Sequence, residues 1–86
     1  MPKTIIYTTI ACGYCFRAKR LLEEKQVPFQ EIDVSYDVEM RRAMMEKSGG
    51  GMTVPQIFIG DTHIGGCDEL YELERSGRLD PLLSAA

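Results

Sequence analysis

Two cysteines separated by two residues stand between an apolar run and a charged run near the start of the chain, and this arrangement constrains the fold most strongly. Residues 4–8 are rich in β-branched and aromatic side chains, which predicts a buried strand. Residues 15–25 repeat apolar side chains at helical spacing, with charged side chains between them. Pro28 disfavours helical backbone at Val27, and residues 29–34 predict a second strand. A strand, a helix and a strand joined by short turns predict a βαβ unit with parallel strands.

Turn signals divide the remainder of the chain into further short elements. The run SGGG at 48–51 stops a predicted helix, and Gly60 with Asp61 is a typical hairpin turn between two apolar runs. The additional predicted elements are a helix at 37–47, strands at 56–59 and 62–64, and helices at 68–75 and 80–83. The complete order β-α-β-α-β-β-α-α predicts an α/β fold in which helices cover both faces of a small sheet.

Length, charge and cysteine content exclude several classes of protein. Eighty-six residues, 44% of them hydrophobic and 27% charged, predict one globular domain spanning 1–86. Three cysteines are too few, and odd in number, for a secreted disulfide scaffold, and no signal-like or membrane-length apolar run is seen. We therefore expect a cytoplasmic protein that does not bind membranes. A net charge of −3 provides no basic surface, so no nucleic-acid partner is expected.

The spacing of Cys12 and Cys15 favours redox chemistry. Cys12 falls between the first strand and the first helix, where unpaired backbone N–H groups and the helix dipole favour a thiolate. Cys15 lies one turn inside the helix, so the two sulfurs can meet and exchange disulfides. A structural disulfide would satisfy the same spacing, although paired cysteines in a reducing compartment are more often catalytic or metal-binding. A zinc site is the other alternative, with a formal Cys₃His ligand set of Cys12, Cys15, His63 and Cys67.

Two later segments carry groups suited to binding a peptide-like molecule. In TVP, a cis bond between Val54 and Pro55 would present the Val54 backbone for pairing with an added strand, whereas a trans proline would simply open the strand. In GGCD, the N–H groups of a helix start suit a carboxylate and Asp68 suits an ammonium group, unless Asp68 only caps its own helix. His63 is expected to be an ordinary surface residue, and Cys67 a partly buried small one.

Together these segments resemble the small bacterial dithiol glutaredoxins over nearly the whole chain. The resemblance rests on the C-x-x-C pair and extends from IIYTT through TVPQIFI and HIGGCDEL to LDPLL. It implies the thioredoxin fold, in which helices flank a four-stranded mixed sheet with the strand order 2-1-3-4. It also implies that the bond before Pro55 is cis.

The resemblance further implies a glutathione-dependent thiol–disulfide oxidoreductase. Cys12 resembles the nucleophile that attacks glutathionylated disulfides, and Cys15 resembles the resolving cysteine used on protein disulfides. The residues that would bind glutathione are Tyr14, Thr53, Val54, Pro55, Gly66, Cys67 and Asp68. The implied partners are glutathione, proteins with glutathione mixed disulfides or internal disulfides, and, indirectly, glutathione reductase. The enzyme form is expected to be a monomer without a metal ion.

Two positions depart from the usual pattern of that family. Gly13 stands where most members have proline, and Thr9 stands where many carry a lysine for the glycine carboxylate of glutathione. Another cation, such as Arg17 or a residue of the second helix, would have to replace that lysine. Relatives with glycine at the first of these positions sometimes hold a [2Fe–2S] cluster between two monomers, using the first cysteine of each and two glutathione thiols. The alternative function is therefore a dimeric cluster carrier or redox sensor with Cys12 as the protein ligand.

Overall fold

In the computed structural model, which describes residues 2–84, the elements follow the order β-α-β-α-β-β-α-α. The strands are β1 (Thr4–Thr8), β2 (Gln30–Asp33), β3 (Gln56–Ile59) and β4 (Thr62–Gly65). The helices are α1 (Gly13–Glu24), α2 (Val38–Lys47), α3 (Cys67–Arg75) and α4 (Leu79–Ser84). This order is the predicted one, and the bounds differ from the predicted bounds by at most two residues.

The largest differences in bounds lie at helix starts, where a capping side chain decides the first residue. Helix α1 begins at Gly13, two residues earlier than predicted, because the Cys12 sulfur accepts the Cys15 N–H and acts as the N-cap. Helix α2 begins after Asp37, whose carboxylate accepts the Met40 N–H at 2.9 Å. None of the helices within residues 2–84 is long and apolar enough to cross a membrane.

The four strands form one mixed sheet in the order β2-β1-β3-β4, as the resemblance implied. β1 pairs in parallel with β2, so that Ile5 lies opposite Gln30. β1 and β3 are antiparallel, with Tyr7 opposite Gln56, and β3 and β4 form the predicted hairpin. The carboxyl end of β1 therefore lies beside the start of β3 and the end of β4. The loops that follow or precede these strand ends meet at one end of the sheet.

Alternate residues of the central strands point into two separate cores. Ile6, Ile57 and Ile59 face one side of the sheet, where they pack with Leu22 of α1 and Leu70 of α3. On the opposite side the buried residues are Tyr7, Val34, Met44 and Phe58. Helices thus cover both faces, and the sheet between them is a rigid base for the loops at its end.

One lysine ties three helices together on the first of these faces. The Lys25 ammonium at the end of α1 contacts Glu74 of α3 at 2.8 Å and Asp80 of α4 at 2.6 Å. The bonds to Asp80 and Glu74 raise the pKa of Lys25 above its ordinary value, although partial burial acts in the opposite direction. This contact stabilises the packing of the short C-terminal helix.

Candidate active site

Cys12 occupies the position between β1 and α1 that the sequence predicted. The chain turns sharply after β1, with Ala11 in the left-handed region at a φ of 57°. The turn leaves the Cys12 sulfur partly exposed at the start of α1, where the Cys15 N–H donates to it at 3.1 Å. An N–H donor directed at sulfur stabilises negative charge on that atom, as a nucleophile at a helix start requires.

Cys15 is placed differently, although it lies only one helical turn away. Its side chain is 2% exposed and belongs to the buried face of α1. Burial, followed by the hydrogen bond with Cys12, raises the pKa of Cys15 to about 12. Both cysteines are free thiols. At neutral pH Cys15 is therefore a protonated, shielded thiol next to an accessible one, which separates the two expected roles.

The loop before β3 approaches Cys12 from the other side. The peptide bond between Val54 and Pro55 is cis, which confirms what the resemblance implied. The alternative, an ordinary trans proline, is wrong. The Val54 carbonyl oxygen lies 4.0 Å from the Cys12 sulfur, within reach of a weak S–H···O contact. Pro55 is buried, while Thr53 is exposed.

A groove of about 290 Å³ runs beside Cys12 between this loop and the start of α3. All seven residues predicted to bind glutathione line it, namely Tyr14, Thr53, Val54, Pro55, Gly66, Cys67 and Asp68. They come from three segments that are far apart in the chain. The meeting of the loops at one end of the sheet brings them together.

The start of α3 shows one residue that the sequence analysis missed. Glu69 also lines the groove, and its carboxylate accepts the Gly66 N–H at 2.7 Å. Gly66, not Asp68, is the N-cap of α3, so the capping alternative for Asp68 is wrong. Asp68 makes no side-chain hydrogen bond or ion pair within residues 2–84, and its carboxylate is exposed. The spacing of Glu69 three residues after the cap was the sequence signal for its role.

Cys67 and Arg17 set the electrostatics of this end of the groove. Burial raises the pKa of Cys67, the positive charge of Arg17 partly offsets that rise, and the negative charges of Asp68 and Glu69 add to it. The Arg17 guanidinium lies 5.3 Å from the centroid of the Tyr71 ring of α3. Arg17 is thus a cation whose field reaches Cys67 in the groove.

The zinc alternative is not supported by the placement of its proposed ligands. His63 lies on β4, where its Nε2 contacts the side-chain oxygen of Gln56 at 2.6 Å. Among residues 2–84, no three histidine, cysteine or acidic side chains come together in a way that could hold a metal ion. His63 is exposed, as predicted, but it has the specific partner Gln56 that the sequence analysis did not foresee.

Comparison with known proteins agrees with this geometry. The glutaredoxin family model matches residues 4–64. A glutaredoxin of Pseudomonas aeruginosa is 56% identical over 85 residues, which cover 99% of this chain and 100% of that protein.

Solved structures extend the likeness to the whole fold. The solution structure of a Brucella melitensis glutaredoxin is 55% identical, with a TM-score of 0.84, and the match covers 96% of this chain and 89% of that one. The crystal structure of a buckwheat glutaredoxin–glutathione complex is 34% identical, with a TM-score of 0.87 and coverage of 96% and 77%. The paired cysteines at a helix start, the four-stranded mixed sheet and these relatives together show that the chain belongs to the glutaredoxin family, whose fold and thiol–disulfide oxidoreductase activity it shares.

Proposed function

We propose that this protein reduces glutathione mixed disulfides and protein disulfides, with glutathione as the electron donor. The observation that carries the proposal is the groove beside Cys12, which gathers the three segments expected to bind glutathione. The buckwheat relative, whose structure is a complex with glutathione, supports this choice of ligand. The reaction suits the reducing cytoplasm, and one copy of the domain contains every residue that it uses.

In the first cycle, only Cys12 carries out covalent chemistry. The Cys12 thiolate attacks the glutathione sulfur of a mixed disulfide, and the protein leaves as a thiolate that takes a proton from water. A second glutathione thiolate attacks the glutathione sulfur now bonded to Cys12, releasing oxidised glutathione and restoring the Cys12 thiolate. In the net reaction one free glutathione and the protein–glutathione disulfide become the protein thiol and oxidised glutathione, which glutathione reductase would reduce outside this protein.

In the second cycle, Cys15 resolves a disulfide between Cys12 and a substrate protein. The Cys15 thiol loses its proton and attacks the Cys12 sulfur, so that the substrate thiolate leaves and a Cys12–Cys15 disulfide forms. Two glutathione molecules then reduce that disulfide. The burial of Cys15 suits a thiol that reacts only when its partner is already bonded.

The groove contributes binding and orientation. We infer that the Val54 backbone pairs with the cysteinyl residue of glutathione, while Gly66 and Asp68 hold its γ-glutamyl end at the start of α3. Tyr14 and Thr53 form the walls. Arg17 would supply the positive charge that Thr9 lacks.

The test is to assay glutathione-dependent reduction of a glutathionylated peptide with the Cys12→Ser and Cys15→Ser variants. The first variant should lose all activity, whereas the second should retain deglutathionylation and lose reduction of an internal protein disulfide. A Cys12→Ser protein that still turns over would refute the mechanism. A wild-type protein that is inactive with glutathione but active with another dithiol would refute the choice of reductant.

Gly13 supports a second candidate, the dimeric [2Fe–2S] form. Gly13 is exposed, and a β-carbon placed there would meet no atom within 4 Å, so this side of Cys12 is open. Cys12 is the partly exposed cysteine, while Cys15 and Cys67 are buried, so one chain would supply only the Cys12 thiolate. Four thiolates are needed, and two chains with two glutathione thiols would provide them.

Anaerobic reconstitution with iron, sulfide and glutathione tests this second candidate. A coloured dimer in the wild type, and a colourless protein after Gly13→Pro, would support it. A colourless wild-type monomer would refute it, and the enzyme proposal would stand unaffected.

A further inference from the structure

The loop that carries Thr53 and Val54 is held by side chains. Among the turn, loop and cap hydrogen bonds of residues 2–84, none between backbone groups involves residues 51–55. The hydroxyl of Ser48 has two acceptors at 3.2 Å, the Gly51 carbonyl and the Met45 carbonyl, and so links the start of the loop to the end of α2. The end of the loop, which forms the wall of the groove, depends on a different residue.

That residue is Gln56, the first residue of β3. Its side chain is 5% exposed, and its Nε2 donates to the Thr53 carbonyl at 3.0 Å and lies 3.4 Å from the Thr53 hydroxyl. A carbonyl only accepts hydrogen bonds, so the amide must present its NH₂ group to Thr53 and its oxygen to the other side. A reversed amide would set two oxygens against each other in a buried position.

The side-chain oxygen of Gln56 is bonded in turn to His63. Its Nε2 lies 2.6 Å from the Gln56 oxygen, and because that oxygen accepts, the histidine Nε2 must carry a proton and donate it. The ring also stacks on Phe58, with centroids 4.9 Å apart. His63 is on the edge strand, outside the residues that line the groove beside Cys12.

We propose that Gln56 and His63 are positioning residues, and that the chain of contacts His63–Gln56–Thr53 holds the Thr53–Val54 wall of the groove in its binding geometry. This inference rests on the proposed function, because it assigns the wall to the binding of the glutathionyl group. Neither side chain contacts the reacting sulfurs, so both act through the loop. The expected effect is on substrate binding, with the chemical step preserved.

Two matched substitutions of His63 separate its donor from its ring. His63→Phe keeps an aromatic ring on Phe58 but removes the donor, whereas His63→Gln keeps an N–H donor and removes the ring. For His63→Phe we expect KM for a glutathionylated peptide to rise about fivefold, the usual effect of one lost hydrogen bond, with kcat little changed. His63→Gln should restore KM to near the wild-type value. Thr62→Ala, on the same strand, is the control.

A second readout tests the positioning without any turnover. The backbone amide NMR shifts of Thr53 and Val54 in the ligand-free protein should move in His63→Phe and in Gln56→Met, and should stay in place in Thr62→Ala. In the Gln56→Met background, adding His63→Phe should change KM no further, because His63 acts only through Gln56. Because His63 is exposed, its variants should fold, so the test can still be made if Gln56→Met is unstable.

The outcomes distinguish this inference from the proposed function. A wild-type protein that does not turn over glutathionylated peptide refutes the proposed function, while the NMR shifts still report on the loop. Wild-type values of both KM and the two amide shifts in His63→Phe refute the positioning role. Equal damage from His63→Phe and His63→Gln also refutes it, since the N–H donor kept in His63→Gln would then have no effect.

Discussion

The burial of Cys15 makes the resolving step strongly dependent on pH. A cysteine with the reference pKa of 9.0 is about 1% thiolate at pH 7, whereas one with a pKa of about 12 is about 0.001% thiolate. Three pKa units therefore lower the reactive fraction about a thousandfold. The thiolate fraction of such a thiol increases about tenfold with each pH unit until the pH approaches the pKa.

The relevant state is the mixed disulfide, in which Cys12 is already bonded. The hydrogen bond and the charge of Cys12 no longer raise the pKa of Cys15 in that state, but burial, the largest cause, remains. We therefore expect the resolving rate to keep increasing about tenfold per pH unit from pH 6 to pH 10, whereas a thiol with the reference pKa of 9.0 would level off near pH 9.

The assay is a single turnover of reduced protein with a disulfide-linked protein substrate, stopped by acid and analysed by mass spectrometry. Decay of the Cys12 mixed disulfide is followed at each pH. Cys15→Ser is the control, because its mixed disulfide should persist at every pH. A wild-type rate that levels off near pH 9 would refute the reasoning, since Cys15 would then ionise like an exposed thiol.

Other expectations follow from the packing. Lys25→Gln should lower the free energy of unfolding by about 1 kcal/mol, measured by urea denaturation. Since the folded-state pKa of Lys25 is raised, its contribution is present at neutral pH and should be lost as pH rises beyond 10.5. Leu70→Ala, at a site with 0% exposure, should cost about 2–5 kcal/mol and lower the Tm. Gly65→Ala should raise KM for glutathionylated peptide, because φ is +111° there and the new β-carbon would lie 2.8 Å from a Glu69 carboxylate oxygen. An unchanged KM would mean that the α3 end of the groove does not contribute to binding.

Much of the candidate site was predictable because its signals are local. The apolar run, Cys12 and the amphipathic helix are adjacent in the chain, and hydrogen bonding within one helical turn places the Cys12 sulfur at the cap. The groove residues required more than local pattern. Periodicity alone does not bring Tyr14 next to Thr53 and Gly66, and their assembly was expected only through resemblance to the family.

Two features of the site escaped the sequence analysis for a physical reason. Glu69 was not among the predicted site residues, although its carboxylate accepts the Gly66 N–H at the start of α3. The partnership of His63 with Gln56 spans two strands, and it depends on the register that places them across one hairpin. Side-chain pairing between strands follows from register, which the strand pattern does not specify without the tertiary fold.

The sequence by itself determined the order of the elements, the place of Cys12 at a strand–helix junction and the proline before β3, because each depends on residues within a few positions of one another. Only the tertiary structure decided how deeply Cys15 is buried, how the predicted residues come together in one groove and what holds its wall. Cys12 and Cys15 have the same side chain. They differ in exposure because α1 packs against the sheet with Cys15 on its buried face. Burial and long-range contact depend on the packing of distant segments, which is why they emerge only in the folded chain.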